Sequence, residues 1–330
     1  HNAGISAHGA AAGAPPEKFG DGARQAYKER ICPSSRLEGR AGAFSCGNIG
    51  DFDMKIDGVV VLYQPTEENI LNILQYAPLL DQLYVVDNSE PPENMLLQKL
   101  SAASNVEIVP MNGNQGIAKA LRVGLEKAMQ DDADFCLTMD QDSIFPTDQM
   151  HNIKKYLSRD DIDDYAIIGL NVNQIGTPPG LVATKLILTS GNLINVKNYR
   201  LIQGFREELF IDSVDYELDH QFYKVGKKIA YINEISLKHT VGSPEAMNIL
   251  HQKITLLNHS PVRYYYRYRN NYVLYREDKK FYKEVRWMDQ KQFIKILLFE
   301  KNKRKKLAMI RLGIRHAKQK KLGRLEEIHE

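Results

Sequence analysis

The sequence predicts an α/β fold: a Rossmann-like, mostly parallel sheet flanked by helices, followed by a helical C-terminal extension. Three observations predict it. Short, continuously apolar runs such as "DGVVVLYQ" and "ADFCLTM" have the length and β-branched content of strands buried on both faces. Segments with apolar residues at helical spacing alternate with them, as a parallel sheet covered by helices requires. Polar clusters close the successive apolar runs, at the strand ends where ligands bind in such sheets.

From Ile56, "IDGVVVLYQ" is the first strand. Thr66 is placed to cap a helix over "TEENILNILQYAPLL", where Ile70, Leu71, Ile73, Leu74 and Ala77 recur at helical spacing. "QLYVVDNS" is a second strand ending in Asp87, Asn88 and Ser89, and "PENMLLQKLSAA" is a helix opened by proline. "NVEIVP" is a third strand. "NQGIAKALRVGLEKAMQ" carries Ile117, Ala120, Leu121, Gly124, Leu125, Ala128 and Met129 in one helical stripe, and "ADFCLTM" is a fourth strand running into "DQDS". Beyond Pro146 the alternation is less regular. "YAIIGLNV" and "GLVATKLILTSGNLINV" read as strands, the latter turning at "SGN" into a short helix. "LFIDSVDYELDHQFYKVG" reads as loop then helix, "KKIAYIN" as a strand, "LKHTVGSPE" as a loop, and "RYYYRYRNNYVLYRE" onward as helix.

The 330 residues, 43% hydrophobic and 26% charged, suffice for one large or two ordinary globular domains. No apolar run reaches the roughly 18 residues of a membrane span, so membrane contact is expected to be peripheral at most. Residues 1–53 are rich in Gly, Ala and Pro, show no amphipathic period and contain "LEGR", close to a protease-site tag; they read as a leader added for expression, or a natural flexible extension. Cys32 and Cys46 fall there, leaving Cys136 as a small buried hydrophobe. No disulfide framework or cysteine metal site follows, which suits a reducing cytoplasm. The net charge of +3 hides ten Lys or Arg and no acid between Lys301 and Lys321.

Several polar groups carry chemistry. Asp140 and Asp142 flank one residue after a buried strand, a spacing at which both can reach a hard divalent cation such as Mg²⁺ or Mn²⁺. Asp87 can accept the imide N–H of uracil or thymine, or simply form an Asx-turn. "FIDSVDYELD" offers Asp212, Asp215, Glu217 and Asp219, either as catalytic acids or as ordinary decoration of a helix start. The small residues of "TSGN" suit a plain tight turn. His239 stands in a polar loop sequence. Arg263, Arg267 and Arg269 interleave with tyrosines, which admits nucleic-acid stacking, although Tyr265, Tyr268 and Tyr272 fall near one helical face as core residues do.

The ordered series "VVVLYQP", "VVDNS", "NGNQGIAKALRVGLEKA", "TMDQDS", "TSGNLIN", "LFIDSVDYE", "KHTVGS" and "PVRYYYRYRNNYVL" resembles the inverting family-2 glycosyltransferases, and especially their bacterial rhamnosyltransferase branch, over about residues 56–275. The resemblance implies a GT-A fold, a nucleotide-sugar donor (dTDP- or UDP-linked), a glycan acceptor and Mg²⁺ or Mn²⁺. It implies that Asp87 and Asn88 contact the nucleotide, with Gly113, Asn114, Gly116 and Asp140 near it. It makes Asp140, Asp142 and His239 the metal-and-diphosphate set, with Asp142 the favoured direct ligand, and Asp215 the catalytic base. Relatives often carry an acid pair where this chain has Val214-Asp215, so the first acid is missing. Ser190, Gly191, Asn192, Asp212, Arg263 and Arg269 are then expected near acceptor or diphosphate. The implied domains are a nucleotide-binding half over 54–145, an acceptor half over 146–275 and a basic helical extension over 276–330.

The reading is therefore a metal-dependent inverting transferase moving a sugar, L-rhamnose from dTDP-L-rhamnose foremost, onto a bacterial surface glycan. UDP-galactofuranose stays open as a donor, and a homodimer stays open as an assembly. The basic tail, with Leu307, Ile310 and Ile314 on one side, suggests a cytoplasmic protein held peripherally on an anionic inner leaflet near a lipid-linked acceptor. The competing class is a nucleic-acid or anionic-membrane binding protein on an α/β scaffold; nucleic acid is not the expected partner. A nucleotidyltransferase would need a basic Gly-rich loop where "VVVLYQPTEEN" is acidic.

Overall fold

Four parallel strands form one half of an eight-stranded sheet: β1 (Ile56–Leu62), β2 (Leu83–Asp87), β3 (Val106–Pro110) and β4 (Phe135–Asp140). This computed structural model describes residues 54–91, 94–172, 176–239, 245–249 and 252–327; residues 1–53, on which the leader expectation rests, lie outside them. The other half comprises β6 (Tyr165–Asn171), β7 (Leu181–Thr184), β8 (Asn192–Asn195) and β9 (Lys228–Ser236), and the sheet order is β3-β2-β1-β4-β8-β6-β9-β7. Strand β8 lies antiparallel between β4 and β6, and β7 antiparallel on the far edge, so the sheet is mostly but not wholly parallel. A two-residue strand β5 (Ser143–Ile144) pairs with β10 (Lys238–His239), and β11 (Glu245–Ile249) pairs with β12 (Gln252–Leu256).

Side chains alternate across the sheet with period two, so each strand feeds two cores. Val59 and Val61 of β1 pack with Leu121, Leu125 and Ala128 of helix α3 (Ile117–Gln130), whereas Ile56, Val60 and Leu62 pack with Ile70 and Ile73 of α1 (Glu67–Tyr76). Thr66 does cap α1, its hydroxyl accepting from the Asn69 N–H while the Asn69 amide oxygen accepts from the Thr66 N–H at 2.8 Å. Each Leu or Ile buried this way stabilises the fold by about 1.5–3 kcal/mol. Helices α2 (Asn94–Leu100), α4 (Met150–Leu157) and the short α5 (Val196–Tyr199) complete the layers with α6 (Val214–Lys224).

Three further helices follow: α7 (Pro261–Glu277), α8 (Lys283–Leu298) and α9 (Lys303–Lys318). Ile310 of α9 is buried with Tyr264, Tyr268 and Ile296, with Leu307 and Ile314 packed against that cluster. The side of α9 that the sequence offered to a membrane is therefore consumed inside the protein. Gly313 permits this closeness, since a Cβ there would fall 2.5 Å from the Tyr265 carbonyl oxygen. The segment after α9 turns back over the body. The Gly323 N–H donates to Glu208 O at 2.7 Å, the Leu325 N–H to the Tyr266 hydroxyl at 2.8 Å, and Arg324 Nη1 to Asn114 O at 3.3 Å.

Two expectations needed correction. "GLVATKLILTSGNLINV" is not one strand: it breaks between Thr184 and Asn192, because the buried Asp219 carboxylate holds the Ile187 N–H at 2.8 Å and pulls the chain off the sheet line. "LKHTVGSPE" is not all loop, since Lys238 and His239 pair with Ile144 and Ser143; residues 240–244 lie outside the described residues.

Candidate active site

The carboxyl ends of the parallel strands gather the first acids. In register, Asp87 sits opposite Leu62 and Asp140 opposite Val61, so the backbones of these two residues flank the end of β1, two strand spacings or about 10 Å apart. Asp87 is buried and its Oδ1 accepts the Ser89 N–H at 3.1 Å, so the Asx-turn is real. A carboxylate oxygen keeps capacity for a further donor in that geometry. Asn88 ties this turn to the next loop: its Oδ1 accepts the Gln115 N–H at 2.7 Å and its amide donates to Asn114 Oδ1 at 3.2 Å. Asn114 in turn accepts the Gly116 N–H at 3.0 Å. Asp87, Asn88, Gly113, Asn114 and Gly116 thus form one connected edge at the start of α3.

Gly116 joins that edge to the segment before α6. Its φ is +86°, and a Cβ there would lie 2.6 Å from the Phe210 ring and 2.7 Å from the Phe210 carbonyl oxygen. Gly116→Ala is expected to cost on the order of 2–4 kcal/mol, combining left-handed backbone strain with overpacking. Chemical denaturation of the variant measures this.

The acid triplet is held from three sides. The Asp140 N–H donates to the buried Ser190 hydroxyl at 3.0 Å, and that hydroxyl donates to Ser143 Oγ at 2.8 Å. Gln141 extends sideways, accepting the Tyr63 N–H at 2.8 Å and donating to Tyr63 O at 3.2 Å, as a neighbouring strand would. The Asn69 amide donates to Gln141 O at 3.1 Å. Asp140 is half-buried and Asp142 exposed. Opposite them, Gly191 takes φ +78° and its N–H donates to Thr138 O, while Asn192 is buried and donates to Leu188 O. Ser190 and Gly191 therefore set the acid turn, and the Asn192 side chain serves the sheet interior.

The acids of "FIDSVDYELD" separate by environment. Asp219 is fully buried against the Ile187 N–H, and burial pushes its carboxyl far above the usual range. Glu217 is buried and accepts from Gln221 Nε2 at 2.7 Å; burial raises its carboxyl to about 7. Asp212 accepts Arg263 Nε at 2.9 and 3.1 Å. Asp215, in the first turn of α6, is half-buried and accepts the Tyr216 N–H at 2.9 Å. Burial, with the negative charges of Asp212 and Asp140 added, raises its carboxyl to about 7, against the lowering pull of the Tyr216 N–H. Asp140, Asp212, Asp215 and Arg263 thus share one electrostatic environment.

The chain leading into Asp215 is strained and clamped. Phe210, Asp212 and Ser213 all have φ between +64° and +66°, unusual for residues with a Cβ. The fully buried Asn270 of α7 donates to Leu209 O, Ile211 O and Asp212 O at 2.9, 2.8 and 2.9 Å, and Ser213 Oγ donates to Asn271 Oδ1 at 2.6 Å. Sequence reasoning missed Asn270, Asn271 and Gln141. Two adjacent amides inside a tyrosine-rich helix were the available signal.

Arg269 is placed elsewhere than expected. It is fully buried and donates to Gly323 O at 2.6 Å and Leu209 O at 2.9 Å, so it braces the loop and the chain end rather than facing a diphosphate; Arg263 stands by the acids. Arg267 is likewise tied to Asp289 at 2.9 Å, which removes the arginine-tyrosine surface a nucleic acid would need. His239 pairs through its backbone with Ser143, next to Asp142; its side chain lies outside the described residues. Among the described residues, no three His, Cys, Asp or Glu side chains converge as a metal site.

Comparison with known proteins matches this frame. A family model described as glycosyl transferase family 2 matches residues 63–202, which include Asp87, the Gly113–Gly116 loop, Asp140, Asp142 and Ser190–Asn192. The dTDP-rhamnosyl transferase RfbF of Shigella flexneri is 28% identical over 242 residues, 68% of this chain and 80% of that protein. Among solved structures, a 4-diphosphocytidyl-2C-methyl-D-erythritol synthase from Anaerococcus prevotii aligns over 56% of this chain and 90% of its own at 12% identity and a TM-score of 0.38. A mannose-1-phosphate geranyltransferase from Thermus thermophilus aligns over 56% and 76% at 9% identity and 0.36. The family match runs through both the Asp87–Gly116 edge and the acid turn of a mostly parallel α/β sheet, and together with the Shigella relative it supports a family-2 glycosyltransferase, an enzyme that transfers a sugar.

Proposed function

We propose that the enzyme moves L-rhamnose from dTDP-L-rhamnose, with inversion, onto a hydroxyl of a growing bacterial surface glycan, with Asp215 as the base. The observation that carries the mechanism is the sorting of acids before and within α6. Asp219 and Glu217 are sealed inside and Asp212 is paired with Arg263, which leaves Asp215 half-open, beside Asp140, with its carboxyl raised to about 7. A carboxylate at that value is suited to accept the acceptor hydroxyl's proton as the oxygen attacks the anomeric carbon. The donor sugar follows from the name of the Shigella relative.

Asp87 and Asn88 are proposed to hold the pyrimidine, and Arg263 to face the diphosphate. Asp140 and Asp142 fit a divalent cation: both are hard oxygen donors on a braced turn, one half-buried and one exposed, and Mg²⁺ is commonly held by one or two carboxylates with phosphate oxygens and water completing the shell. When bound, Mg²⁺ or Mn²⁺ would neutralise charge on the leaving diphosphate. His239 is retained as a candidate for the same set.

The test is a panel of nucleotide sugars, dTDP-L-rhamnose and UDP-galactofuranose among them, with and without Mg²⁺ or Mn²⁺, scored for thermal protection and turnover. The largest protection by dTDP-L-rhamnose with metal supports the reading. Preferred turnover of another donor refutes the sugar, and a product with the donor's own anomeric configuration by proton NMR refutes inversion.

The raised carboxyl of Asp215 also fixes a pH profile. A base must be ionised, and its folded value lies above the ordinary one, so kcat/KM is expected to fall as pH drops through about 7. Asp212→Asn removes a like charge beside it, so the acidic limb should move to lower pH. A limb that stays fixed argues against Asp215 as its origin.

A further inference from the structure

Helix α8 is polar inside and apolar outside. The face packed on α7 carries Asp289 and Gln292, both buried: Asp289 is bonded to Arg267 and Asn271, and Gln292 to the Tyr264 hydroxyl. The opposite face presents Trp287, Ile294, Leu297 and Leu298, which are 57%, 54%, 41% and 58% exposed. At 100° per residue these four fall within about a third of the helix circumference, a continuous stripe rather than scattered surface residues.

Cations surround the stripe. Lys283 and Lys291 lie on it, with Lys291 Nζ 5.0 Å from the Trp287 ring centre. Exposed Lys279 and Lys280 precede it, and exposed Lys303 and Lys305 follow it. Two of the three acids between 279 and 305, Asp289 and Glu300, are buried and paired, leaving Glu284 exposed. A second copy of the chain docking here by two-fold symmetry would oppose these lysines to one another. A tryptophan and aliphatic side chains ringed by lysines instead match the boundary between acyl chains and anionic headgroups.

We propose that this outer face of α8 seats the protein on the surface of an anionic lipid bilayer. The surface and the site share one end of the molecule. The C-terminal end of α8 packs beside the N-terminal end of α7, where Tyr264 OH donates to Glu300 at 2.7 Å, and the adjacent Arg263 pairs with Asp212. An acceptor carried in the bilayer would therefore arrive near Asp212 and Asp215. The docking itself does not depend on the donor sugar.

Trp287 is the chain's single tryptophan, so its fluorescence reads the face directly. The full chain is titrated with vesicles of phosphatidylcholine alone and with about one third phosphatidylglycerol. The expected result is a blue shift with quenching by brominated lipid, and partition into the anionic vesicles at least about tenfold stronger than into the neutral ones. Ile294→Ser/Leu298→Ser and, separately, Lys283→Glu/Lys291→Glu should each weaken partition about tenfold or more with melting unchanged, since all four side chains are exposed. An unshifted tryptophan, equal partition into neutral vesicles, or a vesicle-free dimer that already buries Trp287 overturns the proposal.

Discussion

Asp215→Asn is expected to lower kcat by about 10²–10⁴ while donor affinity stays within a few-fold, because the amide keeps the shape of the side chain and cannot take the acceptor's proton. Asp215 sits at the start of α6, on a different element from the Asp87–Asn88 edge proposed to bind the nucleotide, so donor binding should survive its loss. Steady-state kinetics with thermal-shift titration of the donor separates the two quantities. Asp212→Asn is the comparison: its carboxylate already engages Arg263 at 2.9 Å, so its loss should weaken transfer far less and mainly move the pH limb. A near-wild-type kcat in Asp215→Asn would remove it as the base.

Asn270→Ala is expected to be strongly destabilising. The side chain is fully buried and donates to three carbonyls; Arg269 still reaches Leu209 O, but Ile211 O and Asp212 O lose this donor. Each buried acceptor left unsatisfied costs about 1–3 kcal/mol, so a loss of about 3 kcal/mol is expected in urea denaturation. The same bonds hold Phe210, Asp212 and Ser213 in left-handed conformations, and relaxation there displaces the first turn of α6. Transfer should therefore fall with kcat rather than with donor affinity. Asn270→Asp keeps the acceptor for Arg269 Nε but turns a carboxylate toward the carbonyls, and should be no better than alanine.

The parallel half of the sheet was legible because its strands are buried on both faces and its helices carry single apolar stripes, so local pattern and tertiary role agree. The acids at its rim were legible for the same reason: a charge closing an apolar run has a location before it has a partner. The acceptor half was less so. Nothing local in "LVATKLILTSGN" shows that Asp219, more than thirty residues away in sequence, takes the Ile187 N–H and breaks the strand. Arg269 failed for a related reason. An arginine between tyrosines reads as a surface cation, and only the fold shows carbonyl oxygens from residues 208, 209 and 323 converging on it. The membrane-facing reading of α9 failed because amphipathicity states that one face is covered without stating by what. Here α7 covers it.

The returning chain end bears on how the protein opens. Gly323, Arg324 and Leu325 hydrogen-bond to the loop before α6, to the Asn114 loop and to α7, so the segment after α9 spans both halves of the site. In amide hydrogen exchange the Gly323 and Leu325 protons, although close to a terminus, should exchange in step with Gly116 and Ala118, and not with the rapid fraying typical of chain ends. The Asn114 loop and the loop leading into Asp215 would then belong to one cooperative unit tied together by the segment after α9.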